Sequence, residues 1–72
     1  MSHWNYRIIE EDGLLTLREV FYSKKGKPDS WTIDAISPHG EDKADLLLNF
    51  HQMWIAFNKP ILIVKGKKLK VK

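Results

Sequence analysis

The chain contains no cysteine, so neither a disulfide nor a cysteine-bearing zinc site supports its fold. Long apolar runs are also missing. The longest are a few residues, far short of the ~18 that suggest a membrane span. The first residues, MSHWNYRIIEEDG, lack a positive segment followed by an apolar one, so no secretory signal is expected. A soluble, cytoplasmic protein with no membrane contact is the expectation, and the lack of cysteine fits a reducing compartment. Internal repeats and low-complexity segments are absent apart from a lysine-rich end.

Catalytic patterns are equally scarce. His3, His39 and His51 are dispersed, and no pair of them has the helical i, i+4 spacing of a metal site. There is no Ser-His-Asp order, glycine-rich phosphate loop or paired carboxylate in an apolar setting, and a chain this short has little room for a deep cleft. The sequence therefore points to a non-enzyme with no catalytic residue, no metal ligand and no cofactor.

What is present is bulk. Three Trp, three Phe and two Tyr in 72 residues can fill the core of one small domain, which buries only about 60% of its unfolded surface. Such a core supplies roughly 3 to 5 kcal/mol. With disulfides and zinc excluded, association with another chain is the remaining common support. The net charge is +3, but Lys65, Lys67, Lys68, Lys70 and Lys72 contribute five positive charges without an acid among them, leaving −2 on residues 1–64. The basic character belongs to residues 65–72, a lysine-rich extension of a single domain spanning 1–72.

Along the chain, Trp4, Tyr6 and Ile8 alternate with Asn5 and Arg7, the period of a half-buried strand running to about Glu10. Asp12-Gly13 is a hairpin signal, because a tight turn needs positive φ. A second strand follows over 14–22, in a register that sets Ile8 opposite Leu17, Trp4 opposite Phe21, Tyr6 opposite Glu19 and Arg7 opposite Arg18. A polar turn over 23–28 leads to a short third strand, 30–34, presenting Trp31 and Ile33. Pro38 and Gly40 then punctuate a connection to the one long apolar segment, 42–57, a helix with Asp42 as N-cap and Asp45 at the capping-box position. Asn58-Lys59-Pro60 ends it. Ile61 to Val64 is a fourth strand, and the alternation in 68–72 makes a fifth. The expected fold is α+β: a three- to five-stranded antiparallel sheet with one helix packed on one face, in the order β-β-β-α-β with room for a final β.

Several of these pieces occur together in a known set. Trp4-Asn5-Tyr6-Arg7, Glu19-Val20-Phe21-Tyr22, Gly26-Lys27-Pro28, Ser30-Trp31-Thr32, Ser37-Pro38-His39-Gly40-Glu41 and Ala56-Phe57-Asn58-Lys59-Pro60-Ile61-Leu62 resemble the pattern of a family of short uncharacterised prokaryotic and phage proteins. The resemblance covers about residues 4–62 and implies no activity. Members of that family tend to carry polar residues where this chain has Leu48, His51 and Ile55, and they tend to end soon after the position of Leu62.

On a wheel of about 100° per residue, Leu46, Phe50, Met53, Trp54 and Phe57 form one stripe, with Leu47 at its margin, expected to face the sheet. Ala44, Leu48, His51 and Ile55 form a second stripe on nearly the opposite side. Asp45, Asn49, Gln52 and Ala56 occupy the narrow sector between. A helix apolar on two sides usually packs against two things. Ala44, Leu48, His51 and Ile55 are therefore the candidate protein-binding residues of a non-catalytic module, a small regulator or inhibitor of a larger protein or a homodimer. The alternatives are a C-terminal strand folded back over this stripe, and scattered exposed apolar residues of no consequence.

Two further surfaces carry candidate chemistry. Lys65, Lys67, Lys68, Lys70 and Lys72 suit nucleic-acid phosphates, because clustered lysine releases counterions, although the tail lacks interleaved aromatics for base stacking; a solvated edge strand is the competing account. Asn5, Arg7, Thr16, Arg18, Ser30 and Thr32 share the other sheet face. A wet antiparallel surface is expected there, with anion capture by the two arginines as the alternative.

Overall fold

Alternating residues on either side of Asp12-Gly13 build the first hairpin, β1 (His3–Glu11) and β2 (Leu14–Tyr22). Asp12 and Gly13 have φ of 54° and 80°, the two positive values of a turn whose twist matches that of its strands. The register places Ile8 opposite Leu17, Trp4 opposite Phe21, Tyr6 opposite Glu19 and Arg7 opposite Arg18, as the sequence leads one to expect. The computed structural model describes residues 3–72 and continues with β3 (Pro28–Trp31), α1 (Lys43–Trp54), β4 (Leu62–Lys65) and β5 (Lys68–Val71). A 3-10 turn at Ile55–Asn58 prolongs α1.

The sheet order is β3-β2-β1-β4-β5. It is mixed, which corrects the expected antiparallel sheet: β4 lies parallel to β1, with Ile9 beside Leu62 and Glu10 beside Ile63. A parallel pair needs a crossover of a dozen or more residues, and the segment containing α1 supplies it. The third strand also starts and stops earlier than expected. Pro28 opens it, a position where a missing N–H on an edge strand costs nothing. Past Trp31 the ladder ends because Thr32 rearranges: its Oγ1 accepts from the Glu19 N–H at 3.2 Å, while its carbonyl accepts from Arg18 Nη1 at 2.9 Å. Ile33 consequently leaves the sheet and is exposed.

The sheet curls until its two edge strands meet. Cα atoms of β3 and β5 come within 8 Å of each other, so the five strands wrap into a small, nearly closed barrel. Ile9, Val20, Leu62 and Leu69 form its core, with Tyr22, Trp31 and Val64 packed against them. Every strand contributes to that cluster, so it lies inside the curl.

The inner face is the one that carries both arginines. Arg7 and Arg18 are only 9% and 7% exposed, which corrects the expectation of a wet surface there. Their guanidinium groups diverge toward opposite ends of the barrel. Arg7 donates from Nη1 to the Tyr22 hydroxyl at 2.9 Å and from Nη2 to the Pro60 carbonyl at 2.8 Å; Tyr22 in turn donates to Asn5 Oδ1 at 2.6 Å. Arg18 donates from Nε to Thr16 Oγ1 at 3.0 Å and from Nη2 to Glu11 Oε1 at 3.1 Å. Divergence removes most of the repulsion that two like charges opposite each other would create.

Asp42 caps α1, its Oδ1 accepting from the Asp45 N–H at 2.8 Å. Asp45 is too short to return the bond to the cap residue and accepts instead from the Glu41 N–H at 3.1 Å. Gly40 lies against this first turn. A Cβ there would sit 2.3 Å from the backbone N of Leu46, so only glycine lets the connection pass.

Candidate functional site

The helix sits outside the barrel, against β1, and it is rotated from the expected orientation. Met53 and Ala56 are buried, together with Ile8 of the outer sheet face. Asn49 is half-buried and binds at both ends of its amide: Nδ2 donates to the Tyr6 hydroxyl at 3.2 Å, and Oδ1 accepts from the His39 N–H at 3.0 Å. The narrow sector holding Asn49 and Ala56 therefore points at the sheet. Of the stripe expected to do so, Met53 alone is buried. Leu46, Phe50, Trp54 and Phe57 are exposed, because the barrel interior already supplies the core and leaves the helix a single line of contact.

An apolar flank thus stands on each side of that line. Leu46, Leu47, Phe50, Trp54 and Phe57 make the larger one, and their exposures run from 42% to 66%. Trp54 and Phe57 tilt against each other with ring centroids 5.5 Å apart. Pro38 and Lys43 close one end in a hollow of about 390 Å³ with Leu46, Leu47 and Phe50. At the other end Phe57 lines a hollow of about 360 Å³ with Ile8, Leu15, Leu17 and Ile36. An apolar surface continues in this way from the start of α1 to β2.

The second flank holds the residues singled out in the sequence. Ala44, Leu48, His51 and Ile55 are all exposed. Ile55 borders a hollow of about 410 Å³ with Trp4, Tyr6, Gln52 and Lys59, beside the edge-to-face pair of Trp4 and Tyr6. The C-terminal strand does not cover these residues; β5 pairs with β4 and meets β3. The larger flank escaped the sequence reading because its spacing is that of an ordinary core stripe. The run of three leucines at 46–48, which no single packing face can absorb, was the available signal.

The lysines of the extension fall into two groups. Lys72 binds Glu10, and its backbone N–H donates to the Ile61 carbonyl at 2.8 Å. Lys65 faces Lys68 across the β4–β5 pair. Leu69 turns into the barrel, leaving Lys68 and Lys70 outside, with Lys67 in the turn between the strands. Among the described residues, no group of three His, Asp or Glu side chains is placed to hold a metal ion. No helix is long and apolar enough to cross a membrane.

No family model, curated protein or solved structure matches the chain.

Proposed function

We propose that the protein is a non-catalytic protein-binding module, of the regulator or inhibitor kind, that docks a partner through the exposed flanks of α1. The observation that carries this reading is the flank formed by Leu46, Leu47, Phe50, Trp54 and Phe57, which lies open to water along the full length of a 12-residue helix. Isolated helices shorter than about 12–15 residues are marginal in water. This one rests on Met53, Ala56, the Asn49 bonds and its Asp42 cap.

Magnitudes favour a docking role. Aromatic side chains present 150–250 Å² each, so the half-exposed Phe50, Trp54 and Phe57 leave on the order of 300 Å² open between them. The leucines, Pro38 and Leu15 extend the surface toward the roughly 800 Å² per partner of a standard interface. Surfaces larger than the few hundred Å² usual for monomers mark interaction sites. Ala44, Leu48, His51 and Ile55 form the rim on the far side of the helix.

The test is to measure the mass of the purified chain by sedimentation and to capture partners from its native cell, with Phe50→Glu/Trp54→Glu beside Leu48→Glu/Ile55→Glu. A specific protein retained by the native chain and lost with the first pair supports the module. A concentration-dependent dimer lost with the same pair reassigns the surface to self-association. A monomer whose captured proteins are indifferent to both pairs refutes the reading.

A further inference from the structure

The curl of the sheet brings together lysines that the sequence keeps some forty residues apart. Lys27, at the end of the β2–β3 turn, and Lys67, Lys68 and Lys70, from the β4–β5 turn and β5, line one groove of about 570 Å³ with Asp29 as its single acid. Lys24 and Lys25 belong to the same turn as Lys27 and are exposed. Among the described residues, none of these six ammonium groups has a hydrogen-bond or ion-pair partner. Glu10 and Glu11, the acids that do form ion pairs, are taken by Lys72 and Arg18.

From this placement we infer that the seam between β3 and β5 is a nucleic-acid site, binding the phosphate backbone through lysines of both turns. The arrangement works against the stability of the free chain. Lys65 stands directly opposite Lys68 in the β4–β5 ladder, and like charges in that position are destabilising. Lysine along an edge strand does block unwanted pairing, which accounts for Lys68 and Lys70. It does not account for Lys24 and Lys25, which lie in the turn that precedes edge strand β3 and not on the strand itself. A polyanion crossing the seam would neutralise both groups at once and release its condensed counterions.

The chemistry of the groove also limits what is read. Its cationic groups are all ammonium ions, which act as point charges without the bidentate fork of arginine. Trp31 and Tyr22 pack against the barrel core, and no aromatic lines the groove to stack on a base. Binding is therefore to backbone phosphates and indifferent to base sequence.

The experiment is a fluorescence-anisotropy titration of the full chain against a short DNA duplex over a range of salt. With about five phosphates neutralised, affinity falls by roughly 10²- to 10³-fold between about 50 and 200 mM salt. Lys24→Ala/Lys25→Ala/Lys27→Ala and Lys67→Ala/Lys68→Ala/Lys70→Ala should each reduce the salt slope by about two to three units, near one per lysine. Both variants should melt at or above the native temperature, since each relieves repulsion, so lost binding will not reflect unfolding. Loss confined to the second variant would assign binding to the extension alone and overturn the seam. Binding without salt dependence would overturn it as well. Tighter binding to polyglutamate or to phosphatidylglycerol vesicles than to the duplex would overturn the assignment to nucleic acid.

Discussion

Asn49 on α1 and Tyr6 on β1 are joined side chain to side chain, the Asn49 amide donating to the Tyr6 hydroxyl at 3.2 Å. The bond lies on the line along which the helix touches β1. It holds the Asn49 side of a helix that is apolar on two faces against the sheet. Replacing Asn49 with Ala removes this bond and the one to the His39 N–H, and should cost about 1–2 kcal/mol, at 0.5–1.5 for each net hydrogen bond. Leu48→Ala, one residue earlier on the exposed flank, should stay within about 0.5 kcal/mol. Urea unfolding of the two variants measures both; equal losses would mean that Asn49 does not orient the helix.

Inside the barrel, Tyr22 is the hinge of a polar relay. Its hydroxyl accepts from Arg7 Nη1 and donates to Asn5 Oδ1, and Arg7 Nε is already buried without a partner in the protein. Tyr22→Phe leaves a second buried donor of Arg7 unsatisfied, and the expected loss is about 1–3 kcal/mol. Arg7→Met removes the buried charge and keeps the volume; it should cost less than Arg7→Ala and can be neutral. Denaturation midpoints rank the three variants. If Tyr22→Phe proves neutral, the relay does not contribute to stability.

Two glycines should fail for different reasons. At Gly13, φ is +80° and nothing lies near the absent side chain, so Gly13→Ala is strained only by its backbone, at about 1–2 kcal/mol. At Gly40 a Cβ would collide with the first turn of α1, and the backbone must move. Gly40→Ala should therefore reduce the far-ultraviolet helical signal as well as stability, whereas Gly13→Ala should leave that signal unchanged. A normal helical signal in Gly40→Ala would show that the connection yields without disturbing the cap.

These contrasts mark where the sequence is informative. The first hairpin is readable to the residue pair, because Asp12-Gly13 fixes the turn and with it the register. The alternation of Trp4, Tyr6 and Ile8 marks the face that meets α1, whereas the core lies on the other face with Ile9 and Val20. The Asp42 cap is readable for a similar reason: its chemistry is local. What lies inside is not readable that way. Arg7, Arg18 and Asn5 look like a wet face by residue type, and only the approach of β3 to β5 encloses them. That closure depends on β4 returning beside β1, a long-range parallel pairing with no local signal. The rotation of α1 is hidden for another reason. Its apolar residues cover so much of the circumference that their spacing marks no single inward face, and the side that packs is the one holding Asn49, Met53 and Ala56.

Helix stability and helix association should separate cleanly on the larger flank. Phe50 and Trp54 are about half exposed; their buried halves, on the order of 200 Å² together, are worth up to about 5 kcal/mol at about 25 cal/mol per Å². The substitution that spares the fold is therefore Lys, whose apolar stem covers the same surface while its charge stays in water. The same residues occupy the centre of the proposed docking surface, and buried aromatic anchors commonly cost 2 kcal/mol or more of binding when truncated, a loss of about thirtyfold in affinity. Phe50→Lys/Trp54→Lys should therefore melt closer to the native chain than Met53→Ser does, yet lose the partner or the dimer. Met53→Ser reverses the pattern: Met53 is 1% exposed, so its loss should destabilise the fold by about 2–5 kcal/mol, as truncation of a buried side chain does. Thermal melts beside sedimentation of all three proteins decide the matter. If the flank variant unfolds as readily as Met53→Ser, Phe50 and Trp54 belong to the core and the surface is not an interface.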